Sequence, residues 1–269
     1  MKKADIFSIL LRNPKKIGVV IKVAIKRLPY CLGVTTLWPG TFLAYIPDRY
    51  YENSHKAVWQ TGLSLFKKRS GFLRGNRMTN GGDLARFYFF NLMFEQMDKE
   101  HLTGDIAELG VYKGNSAVLL ANYARKHDHR TVYLFDTFEG FSRRDFRGVD
   151  AGMDVQFNNT SLDKVKALVG NEQVEYVVGY FPDSAAAVPA GASFCLVHLD
   201  CDLYEPLKAG LEYFYPRLVP GGFLVLHDYS SLWWAGAEKA IDEFLADKPE
   251  TVIPIPDKAG TVVIRKMII

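Results

Sequence analysis

The stretch Glu108-Leu-Gly-Val-Tyr-Lys-Gly-Asn-Ser116 decides the fold class, because it joins a short apolar run to a segment with helical periodicity. Gly110 and Gly114 let the backbone approach a ligand closely at the carboxyl end of a strand. The spacing is G-x-x-x-G-x-S, which differs from the G-x-G-x-x-G of dinucleotide-binding loops. We therefore expect a strand, a ligand-binding loop and a helix here, with a purely structural turn as the alternative.

The rest of the chain after residue 101 repeats this alternation of strand and helix. The apolar runs interpreted as strands are residues 106–109, 132–135, 174–178, 194–199 and 223–226. The helical stretches between them are residues 116–126, 161–169, 205–215 and 236–246. Residues 252–254 and 260–265 follow as an antiparallel edge hairpin. This order predicts an α/β fold with a mostly parallel seven-stranded sheet and helices on both faces.

The chain before this pattern divides into two segments. Residues 1–32 form a basic amphipathic arm, whose first 30 residues carry eight Lys or Arg, one acidic residue and a net charge of +7. Such an arm suits contact with a membrane surface or a partner protein, and a solvated or self-packed arm is the alternative. Residues 33–82 are rich in Pro, Gly and aromatic residues and are interpreted as a cap or lid. A helix over residues 83–100 then opens the core domain, residues 83–269.

Composition narrows the class of protein. With 269 residues and 48% hydrophobic content, the chain can bury a substantial core, which argues against disorder. A net charge of +3 gives no case for nucleic acid as a partner. Three irregularly spaced cysteines fit neither a disulfide framework nor a Cys-based zinc site. We expect a cytoplasmic protein, with peripheral contact of residues 1–30 with the inner membrane surface and homo-oligomers as further candidate interactions.

Two more groups of residues follow predicted strand ends. Asp136 ends the second run, 22 positions after Gly114, where an acidic residue can bond ribose hydroxyls. Capping of the next element is its alternative role. Tyr180 and Phe181 follow the third run and offer aromatic faces to an adenine ring, with core packing as the alternative.

Five motifs in this order resemble the macrocin O-methyltransferase (TylF-like) family of class I S-adenosylmethionine-dependent methyltransferases. They are Glu108-Leu-Gly-Val-Tyr-Lys-Gly114, Phe135-Asp-Thr-Phe-Glu-Gly-Phe141, His198-Leu-Asp-Cys-Asp-Leu-Tyr-Glu-Pro206, Tyr215-Pro-Arg-Leu-Val-Pro-Gly-Gly222 and Leu226-His-Asp-Tyr229. The resemblance covers about residues 83–265. It implies a Rossmann-like methyltransferase fold, S-adenosylmethionine as the donor, and magnesium-assisted transfer to a hydroxyl of a sugar, natural-product or glycan acceptor.

The resemblance also implies which residues surround the donor. Its methionine end would lie among Glu108, Gly110, Tyr112 and Ser116, its ribose at Asp136, and its adenine at Tyr180 and Phe181.

Acidic and imidazole side chains follow two neighbouring strands of the predicted sheet. They are His198, Asp200 and Asp202 after the fourth run, and His227 and Asp228 after the fifth. Adjacent strand ends would bring these side chains together. Methyl transfer to an alcohol requires a deprotonated or polarised hydroxyl, which a carboxylate-bound cation can supply.

The resemblance implies metal ligands at the positions of Asp200, His227 and Asp228, where the family has three acidic residues. His227 departs from that pattern, and a nitrogen ligand suits Mn²⁺, Fe²⁺ or Zn²⁺ better than Mg²⁺. Asp200, Asp202 and His227 are the candidate catalytic bases. Strand-end capping is the alternative role of the aspartates.

The same residues are compatible with two other functions. His198, Asp200 and His227 form a two-histidine, one-carboxylate set, which is typical of non-haem iron oxygenases, although those enzymes use a different scaffold. A methyltransferase-like binding or scaffold protein that lost catalysis through the change at His227 is the other alternative.

The sequence says less about the methyl acceptor than about the donor. Residues 141–157 are a polar insertion after the second strand and a candidate lid. Trp233 and Trp234 could stack on a sugar or aromatic ring, and packing or an interface is the alternative for both regions.

Overall fold

The structure is a computed structural model that describes residues 84–127, 129–231, 233–257 and 259–268. The predicted arm, residues 1–32, and the predicted cap, residues 33–82, lie outside these ranges and stay predictions. Within the described ranges, no helix is both long and apolar enough to cross a membrane.

One sheet organises the described residues. Its strands are β1 Asp105–Leu109, β2 Val132–Asp136, β3 Val174–Val178, β4 Phe194–Leu199, β5 Leu218–Leu226, β6 Ile253–Pro254 and β7 Val262–Arg265. Their order is β3-β2-β1-β4-β5-β7-β6. The strands from β1 to β5 pair in parallel, whereas β7 is antiparallel to both β5 and β6. The predicted α/β class and the mostly parallel seven-stranded sheet are confirmed.

Helices occupy the predicted positions between the strands. Their bounds are α1 Leu84–Lys99, α2 Asn115–Ala124, α3 Leu162–Val169, α4 Tyr204–Phe214 and α5 Ala235–Leu245. The start of α3 shows why the prediction works: the Ser161 hydroxyl accepts the backbone N–H of Lys164 at 3.4 Å and so caps the helix. Gly170, with φ of 85°, then ends it.

The two faces of the sheet carry different chemistry. Leu109 on β1 faces α4, where a Cβ on Gly210 would lie 2.9 Å from the Leu109 side chain. Glu108 points to the opposite face, because side chains alternate along a strand. Its register partner on β4 is His198, and the ring of Phe90 on α1 lies 5.2 Å from the His198 ring. Hence α1 covers the face that carries Glu108 and His198.

Strand β5 begins five residues earlier than the predicted start at Phe223. The added segment contains Gly221, whose φ of 78° lets the backbone turn without losing its hydrogen bonds. The N–H of Gly221 donates to the carbonyl of Lys266 at 2.9 Å, and the N–H of Lys266 donates to Gly222 at 2.9 Å. Pairing with the chain after β7 thus extends a strand that apolar patterning alone cuts short.

The carboxyl ends of β1 and β4 meet where the strand order reverses, the usual ligand position in open α/β sheets. Gly110 lies at their closest approach. The N–H of Asp200 donates to the carbonyl of Leu109 at 2.8 Å. A Cβ on Gly110 would lie only 2.0 Å from the carbonyl oxygen of Asp200, and the φ of Gly110 is 92°.

We expect Gly110→Ala to lower the free energy of unfolding by about 2 kcal/mol or more, because the methyl group collides with backbone and the φ is unfavourable. Urea unfolding followed by circular dichroism measures this. Gly152→Ala is the matched control, since a Cβ there would meet nothing within 4 Å. Equal stability of the two variants would contradict the expectation.

Candidate active site

The loop after β1 is held in place by Asp136 at the end of β2. Its Oδ2 accepts the backbone N–H groups of Val111 at 2.7 Å and Tyr112 at 2.8 Å. Its Oδ1 accepts the N–H of Phe138 at 2.6 Å. These bonds hold Tyr112 at a φ of 50°, in the left-handed region. Asp136 therefore shapes the predicted donor loop, and its contact with a ribose stays a prediction.

Glu108 is buried at the end of β1 beside this loop. Its Oε1 accepts the hydroxyl proton of Ser116 and lies 2.8 Å from Nδ1 of His198. Its Oε2 is buried without a hydrogen-bond partner among the described residues. A carboxylate oxygen left in this way costs free energy unless a ligand donates to it. The structure thus keeps one acceptor of Glu108 available to a ligand.

The two aromatic residues predicted at the adenine have different surroundings. Phe181 is 4% exposed and stacks on Phe214 at a centroid distance of 5.7 Å. The partly exposed Tyr180 donates its hydroxyl proton to Asp145 at 2.6 Å, and the guanidinium of Arg144 lies 4.9 Å from its ring. Phe181 is therefore part of the core, and Tyr180 keeps exposed surface. Adenine contact by either ring stays a prediction.

Asp200, His227 and Asp228 come together where β4 and β5 end. Nδ1 of His227 lies 2.7 Å from Oδ1 of Asp200 and 2.6 Å from Oδ2 of Asp228. One possible ligand atom from each residue lies within 4.8 Å of the others. The N–H of His227 continues the sheet by donating to the carbonyl of Leu199 at 2.9 Å. Parallel pairing of β4 with β5 is what places these side chains side by side.

Asp202 lies beside this cluster, close enough to Asp228 and Asp200 for their charges to act on its carboxyl. Both residues have positive φ angles, 62° for Asp202 and 61° for Asp228, so the backbone turns sharply at both strand ends. Burial raises the pKa of Asp202 well above its usual range, and the negative charges of Asp228 and Asp200 add to the effect. The Asp202 carboxyl therefore holds its proton in the cluster without a cation, and once deprotonated it is a stronger proton acceptor than an ordinary carboxylate.

Opposite charges balance the cluster. Burial alone would raise the pKa of Asp200, but His227 and Arg86 hold that pKa well below its usual range. Burial alone would lower the pKa of His227, but Asp200 and Asp228 raise it to about 10. Without a bound cation, His227 is therefore a protonated donor between two carboxylates.

Arg86 is the residue at this site that the sequence analysis missed. It lies on α1, and its Nη1 donates to Oδ2 of Asp200 at 2.8 Å while standing 3.5 Å from Nε2 of His198. Its side chain is 10% exposed. The one available signal was a basic residue amid the apolar periodicity of the predicted helix, a pattern that a snorkelling surface arginine also produces.

The donor atoms of Asp200, His227 and Asp228 fit a divalent cation. Two carboxylate oxygens and one imidazole nitrogen converge within 4.8 Å, and this is the group with metal-ligand potential among the described residues. The nitrogen favours Mn²⁺, Fe²⁺ or Zn²⁺ over Mg²⁺, which prefers oxygen ligands. His227 must lose its proton to bind a cation, since only neutral imidazole is a ligand.

The ligand set of the oxygenase alternative is not assembled. Both ring nitrogens of His198 already face partners, Glu108 on one side and Arg86 on the other. His198 is also outside the group of converging ligand atoms. The sheet topology and this orientation both disfavour the two-histidine, one-carboxylate interpretation.

Residues 141–157 are attached to several parts of the site. Asp150 accepts the N–H of Tyr204, at the start of α4, at 2.7 Å. The ring of Phe157 lies 5.0 Å from the ring of Tyr112 and 6.2 Å from that of Trp234. A Cβ on Gly236 would lie 2.5 Å from the Asp150 carboxylate. The insertion is therefore packed against both the loop after β1 and the segment after β5. In that second segment the side chain of Trp233 is 80% exposed.

Relatives of known chemistry match part of the chain. A 140-residue stretch is 34% identical to the 8-demethyl-8-(2,3-dimethoxy-alpha-L-rhamnosyl)-tetracenomycin-C 4'-O-methyltransferase of Streptomyces olivaceus, and covers 47% of this chain and 53% of that protein. A 165-residue stretch is 28% identical to the demethyldecarbamoylnovobiocin O-methyltransferase of Streptomyces niveus, and covers 56% of this chain and 62% of that protein. The chain thus spans a little over half the length of these relatives.

A solved structure shares the fold. The O-methyltransferase NovP superposes with a TM-score of 0.60 at 24% identity, over 69% of this chain and 81% of NovP. Residues 78–255 match the macrocin O-methyltransferase (TylF) family. They contain the loop after β1, Asp136 and the whole acidic cluster. The chain belongs to the macrocin O-methyltransferase (TylF) family.

Proposed function

We propose that this protein is an S-adenosylmethionine-dependent O-methyltransferase that methylates a hydroxyl of a sugar or another natural-product or glycan acceptor with the help of a divalent cation. The observation that carries the proposal is that Glu108, with one buried and unpartnered oxygen, bonds to His198, which in turn lies 3.8 Å from Asp200 of the cluster. Membership in the family supports the same activity.

The donor would lie across the carboxyl ends of β1 and β2. Oε2 of Glu108 offers an acceptor to the donor's ammonium group, because Ser116 and His198 both bond to the other oxygen. Gly110 and Tyr112 line the loop that approaches its methionine end, and Asp136 stands at the next strand end for its ribose. The adenine would then meet Tyr180, whose ring keeps exposed surface.

Acceptor activation would take place at the cluster. Asp200, His227 and Asp228 would hold the cation, which when bound lowers the pKa of a coordinated hydroxyl. Asp202 lies beside Asp228 with a raised pKa. The positive charge of a bound cation would favour release of its proton, and the resulting carboxylate would then take the proton of the acceptor hydroxyl. The acceptor's hydroxyl oxygen would have to lie in line with the donor's methyl group, as a linear displacement requires.

The names of two relatives support the acceptor class. One is an O-methyltransferase of a rhamnosyl-tetracenomycin, and another is an O-methyltransferase of demethyldecarbamoylnovobiocin. A sugar is consistent with the exposed indole of Trp233 after β5, since aromatic faces pack on sugar rings. Contact of residues 1–30 with the inner membrane surface, a cytoplasmic location and a homo-oligomer remain part of the proposal.

Calorimetric titration with S-adenosylhomocysteine, with and without Mn²⁺ or Mg²⁺, tests the donor site before the acceptor is known. We expect saturable binding, and Mn²⁺ binding stronger than Mg²⁺ binding because of His227.

With an acceptor, Asp200→Ala and Asp228→Ala should each lower turnover by about 100-fold or more, because each removes a carboxylate from the cluster.

Asp163→Ala, on the exposed side of α3, is the control for these aspartate changes and should leave turnover unaltered. Donor binding without methyl transfer to any sugar-bearing acceptor would favour the scaffold alternative. Absence of donor binding under all conditions would contradict the proposed activity.

Asp136→Asn tests the carboxylate that holds the donor loop. The amide replaces one oxygen by an NH₂ group that faces backbone N–H donors, so at least one charged hydrogen bond is lost. We expect the affinity for S-adenosylhomocysteine to fall by about tenfold, measured by calorimetry. Asp163→Asn should bind as the wild type does. Unchanged affinity in Asp136→Asn would remove this carboxylate from the donor site.

Trp233→Ala tests the acceptor side. We expect KM for a sugar-bearing acceptor to rise by about threefold to tenfold through loss of ring stacking, with donor affinity unchanged. Initial rates at saturating donor measure this. Ile253→Ala, another exposed apolar residue, lies on the edge strand β6 and serves as the control. Equal KM values in all three proteins would exclude Trp233 from acceptor binding.

A further inference from the structure

His198 connects the two halves of the site. It is fully buried on β4, between Glu108 on β1 and Arg86 on α1. Nδ1 lies 2.8 Å from Oε1 of Glu108, and Nε2 lies 3.5 Å from Nη1 of Arg86. The Phe90 ring packs against the imidazole at 5.2 Å and fixes its orientation. The His198 side chain thus touches both a predicted donor residue, Glu108, and a partner of Asp200, Arg86.

The partners of His198 determine where its proton lies. A carboxylate only accepts hydrogen bonds, so the nitrogen that faces Glu108 must carry a hydrogen. A guanidinium only donates, so Nε2, which also lies 3.8 Å from Oδ2 of Asp200, serves Arg86 by presenting its lone pair. The neutral tautomer with the hydrogen on Nδ1 satisfies the contacts with both Glu108 and Arg86. Each ring nitrogen therefore makes a different contact, Nδ1 with Glu108 and Nε2 with Arg86, and a substitution can remove one contact while it keeps the other.

We infer that His198 is a positioning residue with two roles: it holds Glu108 so that Oε2 faces the donor's ammonium, and it holds Arg86 so that Asp200 keeps an oxygen for the cation. The first role follows from the shared use of Oε1 by Ser116 and His198, which leaves Oε2 unpartnered. This inference rests on the proposed function.

The second role follows from the position of Arg86. Its Nη1 is shared between Oδ2 of Asp200 at 2.8 Å and Nε2 of His198 at 3.5 Å. Oδ1 of Asp200 faces His227 at 2.7 Å, on the side of the cluster. Loss of the acceptor on His198 would let the guanidinium, whose Nη1 already lies 2.8 Å from Oδ2, shift further toward Asp200, where its positive charge competes with a cation. Outer partners of this kind commonly change metal affinity by about 10–100-fold.

Two substitutions separate the roles. His198→Asn places an amide near the position of Nδ1, so it keeps the bond to Glu108 and loses the contact with Arg86. His198→Gln places an amide near the position of Nε2, so it keeps Arg86 and loses Glu108. Calorimetry with S-adenosylhomocysteine measures the effect on the donor site, and calorimetry with MnCl₂ measures the effect on the cation site. Thermal unfolding verifies that both variants fold.

We expect His198→Asn to bind S-adenosylhomocysteine within about twofold of the wild type and Mn²⁺ about tenfold more weakly. His198→Gln should show the opposite pattern. A purely structural histidine would change both affinities together, or neither, in the two variants, and that result would overturn the inference. Wild-type protein that binds S-adenosylhomocysteine but not Mn²⁺ would also overturn it. Wild-type protein that binds neither probe would instead contradict the proposed function.

Discussion

The close approach of β1 and β4 is the constraint on which the site depends. The N–H of Asp200 donates to the carbonyl of Leu109 at 2.8 Å, and no side chain fits at Gly110. This contact sets the register that pairs Glu108 with His198. It also directs the chain after β4 toward β5, so that Asp200 meets His227. A predicted donor loop and a predicted cation site therefore share one piece of backbone geometry.

Charge balance is the second requirement of this arrangement. Asp200, Asp202 and Asp228 lie together in a poorly solvated place, where like charges repel strongly. The protein offsets this in three ways: His227 donates to two carboxylates, Arg86 binds Asp200, and a proton on Asp202 relieves its repulsion with Asp228. A bound cation would replace the proton on His227. The charges of the cluster are thus compensated without a cation, and the groups that would bind one are present.

The fold was predictable because its signals are local. Apolar runs and helical periodicity set the strands and helices, and Ser161 and Gly170 mark helix ends through their own backbone preferences. The cluster was predictable too, since parallel strands end at one edge of a sheet. Arg86 was not, because it meets Asp200 from 114 positions away through the packing of α1. The same limit applies to Asp136, whose bonds to the loop backbone depend on the loop's conformation.

In the proposed cation site, His227 would change which cation binds best. Three carboxylates would attract any hard divalent cation by charge, whereas two carboxylates and an imidazole discriminate by ligand type. The imidazole also ties cation binding to the release of a proton, because its pKa is about 10 beside Asp200. Arg86 adds a positive charge that weakens the pull on the cation further. A metal with affinity for nitrogen would therefore compensate for the smaller negative charge, and the residue at one strand end would determine the choice of metal.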